Sequence, residues 1–268
     1  MNFVIDGIRY HVDIIGEGFP LILLHGFTGN TKTWSPFQEK WGKHSKIIAV
    51  DIIGHGGTES PTSVDRYNMM SVVKDLSLLM DMLNIGKADF LGYSMGGRLA
   101  LSFAMAHPHK VRKLVLESAT PGIDTEAERL TRIEQDRKLA EFIIERGMTE
   151  FVDYWENIGL FQSQKSLPDH TQARVRTQRL ENSIIGLSNS LLGMGTGSQP
   201  SRWEQLHLLT NETLLITGSL DKKFCEIAAK MTQKIKNVEW VNIKECGHAI
   251  HVEESEKFGT IVSRFLSK

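Results

Sequence analysis

The sequence predicts an α/β protein: a mostly parallel sheet covered by helices on both faces, with a helical cap inserted after the sixth strand. Three observations predict it. Short apolar runs alternate with stretches of helical spacing, the pattern of successive βα units. The apolar runs are continuous rather than alternating, as strands buried on both faces require. The alternation stops between residues 122 and 199, where no strand-like run occurs, and resumes at Thr213.

In chain order, Phe3 to Ile5 and Ile8 to Ile14 read as a hairpin turning at Asp6-Gly7. Leu21 to Leu24, Ile47 to Val50, Ala88 to Leu91 and Leu114 to Leu116 read as buried strands. Val72, Leu76, Leu79, Met80 and Leu83 recur at helical spacing, so a helix capped by Asn68 or Ser71 is expected to end near Asn84. A second helix runs from Arg98 to Ala106 and stops before Pro108, which has no N–H to continue it. Residues 122–199 are rich in Glu, Arg, Gln and Leu and end in a Gly-rich connector, 193–198. A helical insertion on the side where strands end reads as a cap over a site. Thr213 to Gly218 and Val238 to Ile243 restore the strand pattern. The expected organisation is a core of residues 1–121 and 201–268 and a cap of residues 122–200, without internal repeats or low-complexity tracts.

A chain of 268 residues with 41% hydrophobic content can bury one substantial core. A net charge of −1 gives no electrostatic reason to expect nucleic acid or an anionic membrane as a partner. No apolar run reaches the roughly eighteen residues of a spanning helix, and the N-terminus lacks a basic segment followed by an apolar one, so a cytoplasmic location is expected. The two cysteines, Cys225 and Cys246, show no metal-ligand spacing and read as reduced thiols.

The chemistry is concentrated at Phe90-Leu91-Gly92-Tyr93-Ser94-Met95-Gly96-Gly97-Arg98, where a serine lies between glycines at a strand-to-helix turn. That pattern is a nucleophile elbow: a sharp, strained turn lifts the serine hydroxyl clear of the sheet. Asp221 follows one strand-like run and His248 follows the next, completing a serine, aspartate, histidine order. In such a set the histidine exchanges a proton with the serine while the carboxylate fixes its tautomer. Ser219 and Asp221 also make sense as plain turn residues. The loop His25-Gly26-Phe27-Thr28-Gly29 occupies the place of the oxyanion loop of α/β-hydrolases, which assigns the oxyanion donors to the main-chain N–H groups of Phe27 and Met95. His25 and His55 read as loop anchors, since the triad already has its base; the pocket rim is one place open to His251, and it is assigned neither that place nor a role.

The cap carries Arg129, Arg132 and Arg137 in one expected helix and Arg174, Arg176 and Arg179 in another. Exposed arginines usually form solvated faces, and Glu126, Glu128, Glu134 and Asp136 are near enough to pair with them. Arg98, one turn beyond the serine, is hard to place far from a pocket. Several arginines facing one cavity specify a ligand with several carboxylates. The residues alone leave open an ester or C–C bond hydrolase and a non-catalytic ligand-binding protein.

The segments Gly159-Leu160-Phe161-Gln162-Ser163-Gln164, Gln178-Arg179-Leu180-Glu181-Asn182 and Gly195-Thr196-Gly197-Ser198-Gln199-Pro200 narrow the choice. With them the whole chain resembles the 2-succinyl-6-hydroxy-2,4-cyclohexadiene-1-carboxylate synthases of menaquinone biosynthesis, members of the α/β-hydrolase superfamily. One departure is Ile52-Ile53 before Gly-His-Gly, where related proteins commonly have Leu-Pro; this alters loop stiffness rather than chemistry. The resemblance implies catalytic Ser94, Asp221 and His248, carboxylate-binding Arg98, Arg132 and Arg179, and pocket aromatics Tyr93 and Trp155. It further implies a lyase that expels pyruvate from a small tricarboxylate by Ser94-assisted proton abstraction, with no metal or organic cofactor.

Overall fold

The computed structural model describes residues 1–268. Eight strands form one sheet: β1 (Asn2–Ile5), β2 (Ile8–Ile15), β3 (Phe19–Leu24), β4 (Ser45–Val50), β5 (Ala88–Tyr93), β6 (Val111–Glu117), β7 (Glu212–Gly218) and β8 (Val238–Ile243). Their spatial order is β1-β2-β4-β3-β5-β6-β7-β8. β1 and β2 pair antiparallel at one edge, β2 joins β4 antiparallel, and all later pairings are parallel.

The helices are α1 (Gln38–Trp41), α2 (Met69–Met82), α3 (Met95–Ala106), α4 (Glu126–Trp155), α5 (Asp169–Leu180), α6 (Ile184–Met194), α7 (Lys222–Thr232), α8 (Ile250–Glu253) and α9 (Ser255–Ser267). Asn68 caps α2, its side chain accepting the Met70 N–H at 2.9 Å, which satisfies one of the donors a helix start leaves free.

The continuous apolar strands are explained by the two layers that cover the sheet. On β3, Ile22 and Leu24 enter one core cluster while Leu21 and Leu23 enter the other, as a two-residue side-chain period demands. The larger cluster packs the sheet against α2 and α3; the smaller packs the other face against α9 and the Trp34–Trp41 segment.

Between β6 and β7 the chain leaves the sheet for α4, α5 and α6. Ala140, Ile143, Phe151 and Val152 of α4 bury against Leu187 and Leu191 of α6 in a cluster of their own. Gly147, at φ 79°, kinks α4. The chain runs from β3 to β4 on one side and to β5 on the other, so the strand order reverses at β3. Open α/β sheets bind ligands at such a reversal, beyond the carboxyl ends of the strands, and there the cap sits.

Candidate active site

β5 ends at Tyr93 and α3 begins at Met95, leaving Ser94 alone to turn the chain. Its backbone sits at φ 49°, ψ −105°, a region that costs a non-glycine residue about 1–3 kcal/mol. The turn is possible because its neighbours lack side chains. A Cβ on Gly92 would overlap the Gly96 carbonyl, and one on Gly96 would overlap the Leu24 and His25 carbonyls. The Ser94 N–H donates to the Glu117 carbonyl at 2.8 Å, tying the elbow to the end of β6.

Asp221 and His248 arrive from the ends of β7 and β8. Asp221 caps α7, and its Oδ2 accepts the His248 Nδ1–H at 2.6 Å. A carboxylate only accepts, so Nδ1 carries the proton and Nε2 is left to accept from Ser94 Oγ, 3.1 Å away. His248 is buried, with the Phe224 ring 4.6 Å and the Tyr93 ring 5.4 Å from its own. The three side chains form an unbroken path for a proton from the serine oxygen to the imidazole.

Phe27 lies in the turn closed by Gly29 N–H to the Gly26 carbonyl at 3.0 Å, with Thr28 at φ 67°. The Phe27 N–H donates to no protein acceptor. Met95 is the first residue of α3, where helix N–H groups lack intrahelical acceptors. Phe27 and Met95 line the same cavity as Ser94 and His248. His25 and His55 are loop anchors here: His25 Nε2 accepts the Ile52 N–H at 3.0 Å while Nδ1–H donates to the Gly26 carbonyl at 2.8 Å. Burial lowers His25 to about 3 and His55 to about 4, so both imidazoles are neutral.

The cavity has a volume of about 1040 Å³ and runs from Ser94 under the cap. Arg98 and Arg132 both line it. Arg98 Nη1 donates to the Met194 carbonyl and to Gln199 Oε1, each at 2.7 Å. Burial first, then the neighbouring Arg132 charge, pull Arg98 down to about 10. Arg132 donates its Nε–H to Asp136 Oδ1 at 2.8 Å and is one-third exposed. Tyr93 and Trp155 also line the cavity, and the Trp155 Nε1–H is buried without a partner. Burial pushes the Tyr93 phenol well above its ordinary range, so it stays a neutral hydroxyl.

Arg179 is placed differently. It lines a second, smaller cavity of about 50 Å³, reached past Tyr93 and Phe161, which border both spaces. Its guanidinium stacks 4.7 Å from the Phe161 ring and donates to Gln164 Oε1 at 3.2 Å. It has no carboxylate partner, and burial lowers its pKa. Arg137 and Arg176 are spent on surface pairs, with Glu134 and Glu141, and with Asp153 and Glu156. His251 is not on the rim of the large cavity; it is buried against Glu117 and borders the smaller one.

An α/β-hydrolase fold profile matches residues 20–255. A Bacillus subtilis (strain 168) protein named "Putative 2-succinyl-6-hydroxy-2,4-cyclohexadiene-1-carboxylate synthase" is 46% identical over 98% of this chain and 97% of its own length. The chain belongs to this synthase family within the α/β-hydrolases. The solved structure of MenH from S. aureus superposes with a TM-score of 0.92 at 35% identity, covering 96% of this chain and 97% of that one. More distantly, the 2-hydroxy-6-oxo-2,4-heptadienoate hydrolase of Pseudomonas putida is 25% identical over 97% of this chain and 94% of its own.

Against that family background, two site features lay beyond sequence reasoning. Asn182 Nδ2 donates to the Thr28 carbonyl at 2.9 Å, and Gln178 Nε2 donates to Asn30 Oδ1 at 2.8 Å and Thr33 Oγ1 at 2.6 Å, clipping the end of α5 and the residues after it to the 28–33 segment. Gln199 holds Arg98, whereas the bond of Arg132 to Asp136 is one of the pairings the sequence offered. For Gln178, Asn182 and Gln199 the only signal was their presence in the segments that carry the family resemblance.

Proposed function

We infer that the protein is a carbon–oxygen lyase of menaquinone biosynthesis. It eliminates pyruvate from 2-succinyl-5-enolpyruvyl-6-hydroxy-3-cyclohexene-1-carboxylate to give 2-succinyl-6-hydroxy-2,4-cyclohexadiene-1-carboxylate. The observation that carries this reading is the 46% identity to the Bacillus subtilis synthase along essentially the whole of both chains. The geometry adds a serine–histidine–aspartate path opening on a cavity that two guanidiniums line.

The substrate carries three carboxylates, a ketone and an enolpyruvyl ether. In our reading Ser94 Oγ takes the acidic ring proton beside the ketone as its own proton passes to His248 Nε2, and Asp221 stabilises the imidazolium. The released C–H electron pair forms an enolate whose oxygen accepts from the Phe27 and Met95 N–H groups. One such donor is worth about 3–4 kcal/mol in the transition state. Collapse of the enolate through the ring breaks the C–O bond to the enolpyruvyl group. The departing oxygen takes the proton from His248 and the enol becomes pyruvate, so no acyl-enzyme forms and no water is consumed. Arg98 and Arg132 orient carboxylates, Arg179 serves a third through the space beside Tyr93 and Phe161, and Trp155 offers its free N–H.

The test is pyruvate release, read through lactate dehydrogenase, from the enolpyruvyl substrate made in place by the preceding enzyme. Rapid release by the wild type, lost in Ser94→Ala, is the expected result. Absent release together with rapid turnover of p-nitrophenyl esters or of diketone ring-cleavage products would replace the lyase by a hydrolase using the same three residues.

A further inference from the structure

Arg98 is held along one edge only. Nη1 is saturated by two neutral acceptors, the Met194 carbonyl and Gln199 Oε1, both at 2.7 Å, while Nε and Nη2 make no hydrogen bond to the protein. Arginine only donates, so the Gln199 atom facing it is the carbonyl oxygen and the amide nitrogen points away. That Nε2 is buried without a partner, in a side chain only 1% exposed. A buried amide normally satisfies both ends, and leaving one unmet costs about 1–3 kcal/mol. Gln199 therefore tolerates an unmet donor while presenting its acceptor to Arg98.

Its place in the chain fits this role. Gln199 directly follows the connector by which the cap returns to the core, and its N–H donates to the Gly195 carbonyl at 3.1 Å. Arg98 stands one turn after the elbow, its own N–H donating to the Ser94 carbonyl at 3.0 Å. The amide of Gln199 rests against Gly122, at φ 116°, where a Cβ would lie 3.2 Å from Nε2. The contact thus joins the returning cap segment to the helix that carries the elbow.

We propose that Gln199 is a positioning residue that fixes which edge of the Arg98 guanidinium meets a substrate carboxylate, and that its neutrality keeps the Arg98 charge available to that carboxylate. The inference rests on the reading of Arg98 as a carboxylate-binding group. A glutamate at 199 would form a charged, bidentate-capable pair with Arg98 and take up the charge the ligand needs. Glutamine supplies the same reach and acceptor without competing.

Three variants test it in the full-length enzyme: Gln199→Leu, Gln199→Glu, and Gln199→Leu combined with Arg98→Met. If Gln199 acts through Arg98, Gln199→Leu raises KM for pyruvate release about ten-fold with kcat within about three-fold, and Gln199→Glu raises KM further. In the Arg98→Met background the leucine change then has less than about a two-fold effect, since its partner is already gone. Wild-type KM in Gln199→Leu, or an equal loss in both backgrounds, overturns the proposal. A second readout is independent of turnover. In protein labelled with ¹⁵N-arginine, Arg98 Nη resonances are expected to be resolved by slow rotation in the wild type and averaged in Gln199→Leu; Nη signals that stay resolved in the variant also overturn it. If wild-type enzyme releases no pyruvate, the functional reading fails, while the Nη signals still decide the Gln199–Arg98 relationship.

Discussion

Glu117 and His251 form a buried pair directly beneath the elbow. One carboxylate oxygen of Glu117 accepts both the His251 main-chain N–H and its Nδ1–H at 2.9 Å, and neither side chain is open to solvent by more than a few per cent. The main-chain carbonyl of the same Glu117 holds the Ser94 N–H. Glu117 thus fastens the serine turn on one side and, three residues beyond His248, the histidine segment on the other. Removing its carboxylate strands two buried donors, each costing about 1–3 kcal/mol. Glu117→Ala is expected to lose about 2–6 kcal/mol of unfolding free energy by urea titration. Glu117→Gln, which keeps one acceptor, is expected to lose less and to lower kcat while leaving KM unchanged. A glutamine variant with wild-type kcat would show that the pair only stabilises the fold.

Arg132 offers a sharper separation of binding from folding. Its Nε–H is the hydrogen-bond partner of a buried Asp136, whose other oxygen has none. Arg132→Met is expected to raise KM about ten-fold, the loss of one charge-assisted contact, with a small change in kcat. It also strands Asp136 and so lowers stability. Adding Asp136→Asn removes the stranded charge, so the double variant is expected to regain stability without regaining KM. Recovery of KM together with stability would mean that Arg132 supports the cap and does not touch substrate.

The two buried histidines set an acid limit. His25 and His55 have folded values of about 3 and about 4, both depressed by burial from an ordinary 6.5. Below pH 6.5 the unfolded chain takes up protons that the folded chain refuses, so stability present above that pH is lost as pH falls toward the folded values. Each histidine contributes a slope of up to about 1.4 kcal/mol per pH unit, giving an upper bound of about 4 kcal/mol lost between pH 7.5 and pH 5. The urea midpoint is expected to fall steadily across that range while the His25 and His55 ring proton shifts stay constant. Ring shifts that titrate near pH 6.5 in the folded protein would show that the loops admit the charge.

How much of this was legible depended on the range of the contacts involved. β8 was read at its observed bounds, 238–243, and β3 and β6 were read short, as Leu21 to Leu24 and Leu114 to Leu116. Their missing residues, Phe19-Pro20, Val111 to Lys113 and Glu117, include polar or proline positions that blur an apolar run, yet Phe19 and Pro20 pair with β4, Val111 with β5, and Lys113 and Glu117 with β7. Ser94, Asp221 and His248 could be read because strand ends and chain order are local features. The differing fates of Arg98, Arg132 and Arg179 could not. Gln199 lies 101 residues from Arg98, and nothing in α5 shows that Arg179 ends behind Tyr93 and Phe161 rather than in the main cavity. Glu117 gave no signal for the same reason: an acid ending an apolar strand looks exposed until the fold brings His251, 134 residues later, against it.

Gly96 shows how little freedom the elbow has. It sits in the first turn of α3, where alanine would ordinarily favour the helix by about 1 kcal/mol. Here a Cβ would enter the space of the Leu24 and His25 carbonyl oxygens at the end of β3. Those are backbone atoms held in the sheet and in the 25–29 loop, so they cannot turn aside as a flexible side chain could. The helix start must move instead, carrying Met95 N–H and Ser94 Oγ away from Phe27 N–H and His248 Nε2. Overpacking of this kind costs about 1–3 kcal/mol or more. Gly96→Ala is therefore expected to lower the thermal midpoint by several degrees and, if the Met95 N–H acts as proposed, pyruvate release by more than about a hundred-fold, the usual cost of losing one oxyanion donor. Substrate KM should change far less, because Arg132 and Trp155 stand on α4, outside the displaced turn. Wild-type turnover in a folded Gly96→Ala protein would show that the Met95 N–H and the serine do not need the close approach that the glycine permits.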